Sequence, residues 1–304
     1  MPQELQSITI TAPGFAGINT QDAPLGQDPT FAAVANNCII DKEGRVASRK
    51  GYTQLNGNDL LGASAGIEAI KEFTAQDGTV EVISAGNNKL FSGTTTMVDE
   101  TGALTITANN WKLVSFNDHL YGFQAGHTPV VYSADTGNIT TIDNDPASVG
   151  TAPLGNECLA AFGRLWVGDV TGSKSVIHWS DLLNGSGWSG GSSGSIDLTK
   201  VWPTGYDVIV SLAAHNGFLV IFGRNSIVVY QGADSPSTMT LADTISNIGC
   251  VSRDAVASTG KDLIFLDDSG LRSLSRTIQE KSAPIGDVSK NVNNDVKIST
   301  ASET

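Results

Sequence analysis

The chain has 304 residues, of which 40% are hydrophobic and only 16% charged, with a formal net charge of −13 and a pI near 4.6. This length and apolar content suffice for a sizeable core within one all-β domain. The acidic balance argues against tight wrapping of nucleic acid, which needs Lys and Arg to displace phosphate counterions. It does not exclude DNA that slides past a like-charged wall without adhering.

Targeting and cross-linking signals are the next feature of the sequence. The first 17 residues lack the basic region and apolar core of a signal peptide, and no apolar run approaches the roughly 18 residues that span a bilayer. We therefore expect a soluble protein. The three cysteines, Cys38, Cys158 and Cys250, lie far apart without a CxxC pair, which predicts neither a disulfide framework nor a zinc site and favours a reducing site of synthesis.

We divide the chain into an N-terminal arm and extended segment (1–60), a β-propeller domain (61–280) and a C-terminal polar segment (281–304). Within the middle division, a triplet of short apolar strands separated by tight turns recurs five times. The predicted triplets are Ile67–Phe73, Val80–Ser84 and Lys89–Ser92; Trp111–Phe116, His119–Phe123 and Val130–Ser133; Cys158–Phe162, Leu165–Gly168 and Val176–Ser180; Val208–Ala213, Phe218–Phe222 and Ser226–Tyr230; and Ala255–Ser258, Leu263–Leu266 and Gly270–Leu274.

The turns between these strands supply the repeat length. The first turn of each triplet begins at Asp77, Asn117, Gly163, Asn216 and Gly260, so the spacings are 40, 46, 53 and 44 residues. Propeller blades repeat at about 40 to 50 residues. The sequence therefore predicts an all-β fold, a β-propeller-like array of about five to six short-stranded blades with little helix. The alternative is a plain β-sandwich, which also has short strands and frequent turns but requires no fixed repeat.

One helical period is present near the C-terminus. Ile285, Val288, Val292 and Val296 follow one another at spacings of 3, 4 and 4, and Asp287 is a candidate N-cap. We expect a short helix there, which needs a docking surface because valine and asparagine are poor helix formers.

Residues that could carry chemistry are scattered. The four histidines have no metal-ligand spacing, and the carboxylate pairs do not follow a calcium-loop pattern, so we expect no metal or cofactor. The segment Ser133–Thr140 resembles the Asp box of sialidase-type propellers, in which Asp and Gly stabilise a hairpin turn away from the catalytic centre. Because no partner motif accompanies it, we predict that the chain is not an enzyme.

Two loops are candidate contact surfaces. Arg45, Arg49 and Lys50 form the one basic cluster of an acidic chain; this cluster either contacts DNA phosphate or an acidic partner, or is a solvated loop. The Gly/Ser-rich stretch Asn184–Ser195 carries Trp188. This tryptophan is either an exposed contact point or folded onto its own blade.

A family resemblance emerges from ordered motifs. The stretch Ala35–Asn37 followed by Asp41–Tyr52 resembles the opening of tail proteins from short-tailed bacteriophages. Phe162–Trp166, Ile177–Leu182 and Phe218–Tyr230 are similar, in this order, to the middle of the packaged-DNA stabilisation, or tail nozzle, proteins. The similarity spans about residues 30–290.

The resemblance implies a structural virion protein of the phage tail, made in the host cytoplasm. Such a protein forms a ring of identical subunits that continues the channel of the portal and adaptor proteins, retains the packaged DNA and anchors tail fibres or spikes. Double-stranded DNA would pass through the ring without sequence-specific binding, and no membrane insertion is implied. Two alternatives stay open: a glycan-binding or glycan-cleaving, sialidase-like propeller, and a propeller scaffold for protein partners.

Overall fold

The computed structural model describes residues 14–55, 66–107, 109–133, 136–280 and 288–301. It has an all-β, propeller-like fold with little helix, as predicted. Contacts divide the chain into two compact units. The larger unit holds the sheets between residues 66 and 268 together with 273–280, and the smaller unit consists of the described parts of 1–53, 269–272 and 284–304.

The smaller unit contains little regular structure. Strands β1 (Gly17–Ile18) and β2 (Phe31–Ala32) pair in parallel, and β3 (Cys38–Ile40) and β4 (Val46–Ser48) form a hairpin. Residues from the two ends of the chain meet in this unit, where the Thr20 backbone N–H donates to the Asn291 carbonyl at 2.9 Å and the Thr20 hydroxyl to Asp295 at 2.6 Å.

The larger unit contains, within the described residues, four antiparallel sheets of four strands each. In each sheet, strands adjacent in sequence are adjacent in space, which makes each a meander. The strands are β5 (Ile67–Thr74), β6 (Val80–Gly86), β7 (Lys89–Ser92) and β8 (Val98–Asp99); β9 (Lys112–Phe116), β10 (His119–Phe123), β11 (Val130–Ser133) and β12 (Asn138–Thr141); β13 (Gly155–Ala161), β14 (Arg164–Val170), β15 (Val176–Trp179) and β16 (Gly194–Asp197); and β17 (Ile209–His215), β18 (Phe218–Gly223), β19 (Ser226–Gln231) and β20 (Thr240–Ser246).

A further hairpin follows the fourth sheet. It pairs β21 (Val256–Ser258) with β22 (Leu263–Asp267), and the strand β23 (Gly270–Ser273) comes next in the chain. Two α-helices are described, α1 (Leu274–Glu280) and α2 (Asn293–Ala301). Three short 3-10 turns span Ile142–Asn144, Pro236–Thr238 and Lys290–Val292.

All fifteen predicted strands are present, each within three residues of its predicted ends. The predictions missed the fourth strand of every four-stranded sheet. These strands (β8, β12, β16 and β20) are polar or only two residues long and pair at the sheet edge, so they show little of the alternation that marks a half-buried strand. The strand β16 falls at the end of the stretch that was expected to be a Gly/Ser-rich loop.

Three local predictions were wrong. The turn of the third sheet lies at Phe162-Gly163, with φ of 55° and 69°, and not at Gly163-Arg164. Leu274, predicted to end a strand, begins α1, for which no helical pattern was identified. The C-terminal helix α2 begins at Asn293, later than the apolar spacing predicted. The proposed N-cap Asp287 and the acid of the Asp box, Asp135, lie outside the described residues.

The core lies between neighbouring sheets. The first strands β5, β9, β13 and β17 pack against one another in sequence order. Side chains from all parts of the sheets build the separate apolar clusters. Among the described residues, the largest fully buried side chain is that of Trp166 on β14, which is 0% exposed and has its ring centroid 5.5 Å from that of Trp179. Its indole N–H donates to the Ala161 carbonyl at 3.1 Å, so the buried polar atom is satisfied.

Candidate interface and buried charge network

Arg45 is held within its own hairpin. It follows the β3–β4 turn, where its Nε donates to Asp41 Oδ2 at 2.8 Å and its Nη2 pairs with Glu43. Asp41 Oδ1 also accepts from the backbone N–H groups of Glu43 and Arg45, at 2.9 and 2.8 Å. The Arg45 backbone N–H is the main cause that lowers the pKa of Asp41. The guanidinium therefore pairs with two carboxylates of its own turn, while the side chain stays 74% exposed.

Arg49 and Lys50 follow β4 and are exposed. Neither side chain forms an ion pair among the described residues. The stretch 14–53, which we call the arm, has a single buried residue, the polar Asn19. Seven large hydrophobic side chains of the arm are exposed by 36% to 104%: Phe15, Ile18, Leu25, Val34, Ile39, Val46 and Tyr52. Among the described residues, these apolar side chains therefore have no cover.

Trp188 is half-buried in the larger unit. Its ring packs edge-on against Phe123 of β10 with centroids 6.2 Å apart, and its backbone N–H donates to the Val149 carbonyl at 2.7 Å. The tryptophan therefore folds inward, but its ring contact is with the neighbouring second sheet and not with its own blade, as one of the two predictions had it. Its indole Nε1 is buried and has no hydrogen-bond partner among the described residues. Arg45, Arg49 and Lys50 belong to the smaller unit, and Trp188 belongs to the larger unit.

A buried ionic network joins the first strands of the sheets. Glu157 on β13 is 1% exposed; its Oε1 accepts from the Leu212 backbone N–H on β17 at 3.3 Å. Lys112 on β9 lies 3.3 Å from Glu157 Oε2, an ion-pair contact without hydrogen-bond geometry, and 2.9 Å from Asp254 Oδ1. Burial raises the pKa of Glu157 to about 7, against the opposing effect of Lys112. Burial lowers the pKa of Lys112, but the two carboxylates outweigh it, so the net shift is upward.

Arg253 extends this network across three parts of the larger unit. Its Nη1 donates to the Asn110 carbonyl at 3.0 Å and to Asn156 Oδ1 at 3.1 Å, and its Nε donates to Asp254 at 2.8 Å. The Arg253 carbonyl accepts from the Ser211 hydroxyl at 2.8 Å. One guanidinium thus connects three parts of the chain: the segment before β9, the strand β13, and the segment before β21. Arginine suits this role because its planar guanidinium carries several donors in a fixed fork. The role of Arg253 is therefore structural, because it holds these segments together by hydrogen bonds.

The motifs that carry the phage resemblance close the turns of the third sheet. Arg164, which is 4% exposed, donates to the Ser180 carbonyl at 2.9 Å and to the Ser192 carbonyl at 3.3 Å. Ser180 Oγ accepts from the Leu165 backbone N–H at 3.0 Å. Asp181 accepts from the Ser192 hydroxyl at 2.7 Å and its backbone N–H at 2.8 Å, and these bonds lower the pKa of Asp181. These hydrogen bonds hold the turns of the third sheet together.

Asp207 performs the same task in the fourth sheet. It is 3% exposed and accepts from the Ser226 hydroxyl at 2.6 Å and from the backbone N–H groups of Asn225 and Arg224 at 2.9 and 3.0 Å. A Cβ on Gly223 would lie 2.5 Å from Asp207 Oδ2, which explains the glycine in this turn. The motif ending at Tyr230 is therefore a turn organised by a buried carboxylate.

Sequence reasoning did not identify Lys112, Glu157, Arg253 or Asp207. The first two were charges on or beside predicted apolar strands, and this mismatch was the available signal. Their partners lie up to 143 residues away in the chain, so the spacing of residues carried no information about the network.

The described residues contain no group of three or more His, Cys, Asp or Glu side chains positioned to hold a metal ion. No helix within the described ranges has the length and apolar content to cross a membrane.

Comparison with known proteins gives no family. No family model matches the chain, and no curated protein matches it. Among solved structures, the extracellular domain of a putative hybrid two-component system from B. thetaiotaomicron aligns at a TM-score of 0.45 and 12% identity over 77% of this chain and 30% of that one.

Two further solved structures are similar at the same level. BamB from Moraxella catarrhalis aligns at a TM-score of 0.40 and 11% identity, over 68% of this chain and 60% of BamB. The AfRom2 CNH domain aligns at a TM-score of 0.41 and 13% identity, over 81% of this chain and 70% of that domain. The chain spans under a third of the length of the two-component domain above. At TM-scores this low, the similarities carry no argument about function, and the fold description rests on the sheets of this chain.

Proposed function

We propose that this chain is a structural subunit of a bacteriophage tail that acts through protein contacts and not through catalysis. The arm carries this proposal, because it exposes seven large hydrophobic side chains and buries none. Side chains of this kind lose contact with water when another protein covers them, at about 25 cal/mol per Å² of apolar surface. The assignment to a phage tail rests on the ordered motifs, which begin in this same arm.

In this proposal, copies of the chain form a ring beside the portal and adaptor proteins, and tail fibres or spikes attach to it. DNA would pass through the ring and not through the centre of one subunit, because Lys112, Glu157 and Arg253 occupy the region where the first strands meet. A net charge of −13 makes the ring repel DNA rather than bind it. The ring thereby continues the channel and retains the packaged genome without sequence-specific contacts.

The basic residues at the end of the arm are the proposed polar contacts of this interface. Since Arg45 is already paired with Asp41 and Glu43, we assign the polar contacts with the partner to Arg49 and Lys50. Both are exposed, so reversing their charge should leave the fold intact.

The test is incorporation into phage particles made in the presence of each variant. The double variant Arg49→Glu/Lys50→Glu should keep the circular dichroism spectrum and melting temperature of the native protein but be missing from purified particles. Arg45→Gln is the matched control, because its charge serves its own hairpin, and it should be incorporated normally. Normal incorporation of the double variant would contradict the role of this surface. Absence of the native protein from all particles, examined by electron microscopy, would contradict the phage assignment itself.

A cellular scaffold for protein partners is the second candidate function, and the same exposed arm supports it. The two functions differ in where the partners come from. A native protein that never enters a particle, but is recovered from host cells in a stable complex through an intact arm, would favour the scaffold.

A further inference from the structure

The sheets of the larger unit form an array with two ends. Each of its four apolar clusters joins sheets that follow one another in the chain: first to second, second to third, third to fourth, and fourth to the β21–β22 hairpin. Among the described residues, no apolar cluster joins this hairpin back to the first sheet (β5–β8). The first sheet therefore contributes only one face to these clusters, and we call its opposite face the end face.

The register of β5 and β6 shows what the end face contains. Residues directly opposite each other in an antiparallel pair lie on the same face, and the face toward the second sheet holds the buried Phe73 and Ile83. The end face holds three large apolar side chains that are 44% to 64% exposed: Ile67, Ile70 and Val80. Toward β7 the same face is buried, at Ser84 and Phe91, so its exposed part lies over β5 and the beginning of β6.

One carboxylate lies among these apolar side chains. Glu72 is two residues from Ile70 on the same strand and therefore on the same face. It is exposed and forms no ion pair among the described residues. The exposed part of the end face is thus apolar with a free negative charge.

The end of the arm, residues 46–53, has the opposite charge. All eight of its residues are exposed, including Val46 at 52% and Tyr52 at 91%. It contains Arg49 and Lys50, which form no ion pair among the described residues, and it contains no Asp or Glu. The two surfaces therefore match, since both expose apolar side chains and their charges are complementary.

We propose that the end of the arm of one copy covers the end face of the first sheet in a second copy. The apolar side chains of the two surfaces leave water together, and Arg49 and Lys50 lie against Glu72. A second copy is required because both surfaces are exposed in the single chain.

The geometry of this contact leads to a ring. Each copy gives one arm and receives another on a different surface, which makes the contact heterologous, and a heterologous contact whose rotation closes generates a ring. The inference rests on the proposed function for the ring and deepens it, because it names the surface that receives the arm.

Sedimentation velocity of the purified full-length chain over a range of concentrations measures the association. The native chain should form oligomers, and Ile70→Arg should weaken their association at least about tenfold, because it places a cation against Arg49 and Lys50. Ile70 is 64% exposed, so the melting temperature of this variant should remain that of the native chain.

Leu241→Arg is the matched control, at a leucine of β20 that is 47% exposed and belongs to neither surface, and it should associate as the native chain does. A native chain that stays monomeric at every concentration would overturn the proposal. Native association of Ile70→Arg, or equal weakening by both substitutions, would also overturn it.

Mixing two defective variants tests whether the arm and the end face meet across copies. Arg49→Ser/Tyr52→Ser removes contacts of the arm and leaves the end face intact, whereas Ile70→Arg does the reverse. Each variant alone should be monomeric at concentrations where the native chain assembles. An equal mixture should form dimers and stop there, because only one intact arm and one intact end face are present in each pair. A mixture that stays monomeric would refute this contact.

The proposed function and this inference fail separately. A native chain that assembles through these surfaces in solution but is missing from purified phage particles would contradict the phage role alone. Incorporation of Ile70→Arg into particles at the native level would contradict the interface alone.

Discussion

The arm and the third sheet are similar in length but opposite in burial. The arm covers residues 14–53 and the third sheet 155–197, and both are rich in large hydrophobic side chains. In the third sheet, Leu165, Trp166, Val167 and Ile177 are all 0% exposed, whereas the only buried residue of the arm is Asn19. The difference arises because a four-stranded meander offers two faces to neighbouring sheets, while paired strands of two or three residues offer almost none. Apolar composition therefore produces a core only where the strands can stack.

The largest expected effect lies at the centre of the third sheet. Trp166→Ala removes a fully buried ring that contacts Trp179 and Phe162, so the free energy of unfolding should fall by about 3–5 kcal/mol. Urea denaturation followed by circular dichroism measures it. Trp166→Phe is the control, and its free energy of unfolding should fall by less, because phenylalanine retains an aromatic ring. A loss below about 1 kcal/mol for Trp166→Ala would mean that this sheet is no better packed than the arm.

An intermediate effect is expected at the buried charge network, and it depends on pH. The folded-state pKa of Glu157 is raised by burial from 4.5 to about 7, so its contribution to stability is present in full below pH 4.5 and lost as the pH rises through 7. Between pH 4.5 and 8 the native protein should lose about 3 kcal/mol of unfolding free energy relative to Glu157→Gln. Measurement against this variant is necessary because His178, whose pKa is lowered by burial, contributes the opposite slope in the same range.

Denaturation curves of both proteins at several pH values give the comparison. A difference between native protein and Glu157→Gln that stays constant from pH 4.5 to 8 would show that Glu157 does not titrate in this window. A difference that grows in favour of the native protein would show that Lys112 holds the carboxylate ionised at low pH.

The smallest expected effect lies in the arm. Leu25 is 104% exposed, so Leu25→Ser in the isolated protein should change the unfolding free energy by no more than about 0.5 kcal/mol. Leu165→Ser, at a leucine that is 0% exposed, is the matched comparison and should be severely destabilising. Equal decreases in unfolding free energy for the two variants would show that the arm and the third sheet do not differ in burial. If Leu25→Ser changes only the assembled state, the arm is stabilised by a partner.

Local signals predicted the hairpins accurately. Asn117 and Asp118 have φ of 45° and 66°, and Asn216 and Gly217 of 50° and 80°, which is the geometry that these residue types adopt in two-residue turns. The third turn was misplaced by one residue because Phe162 adopts a positive φ, a conformation unusual for a bulky side chain. Its ring packs edge-on against Trp166 at 6.5 Å, a contact that no local pattern encodes.

The candidate sites were predictable only in part. The exposure of Arg49 and Lys50 could be expected from their charge, but the pairing of Arg45 with Asp41 and Glu43 depends on the β3–β4 turn. Trp188 was identified from its loop, yet its inward packing on Phe123 required a neighbouring sheet 65 residues earlier in the chain.

The sequence by itself determined the strands, their tight turns and the repeat, because alternation of apolar residues and positive-φ turn residues act over a few neighbouring positions. Tertiary structure alone decided which charges are buried together and which apolar residues find no cover. Glu157 meets Lys112 and Leu212 only because three first strands converge, and burial there changes its pKa. The arm stays exposed because its short strands give it no face on which to build a core.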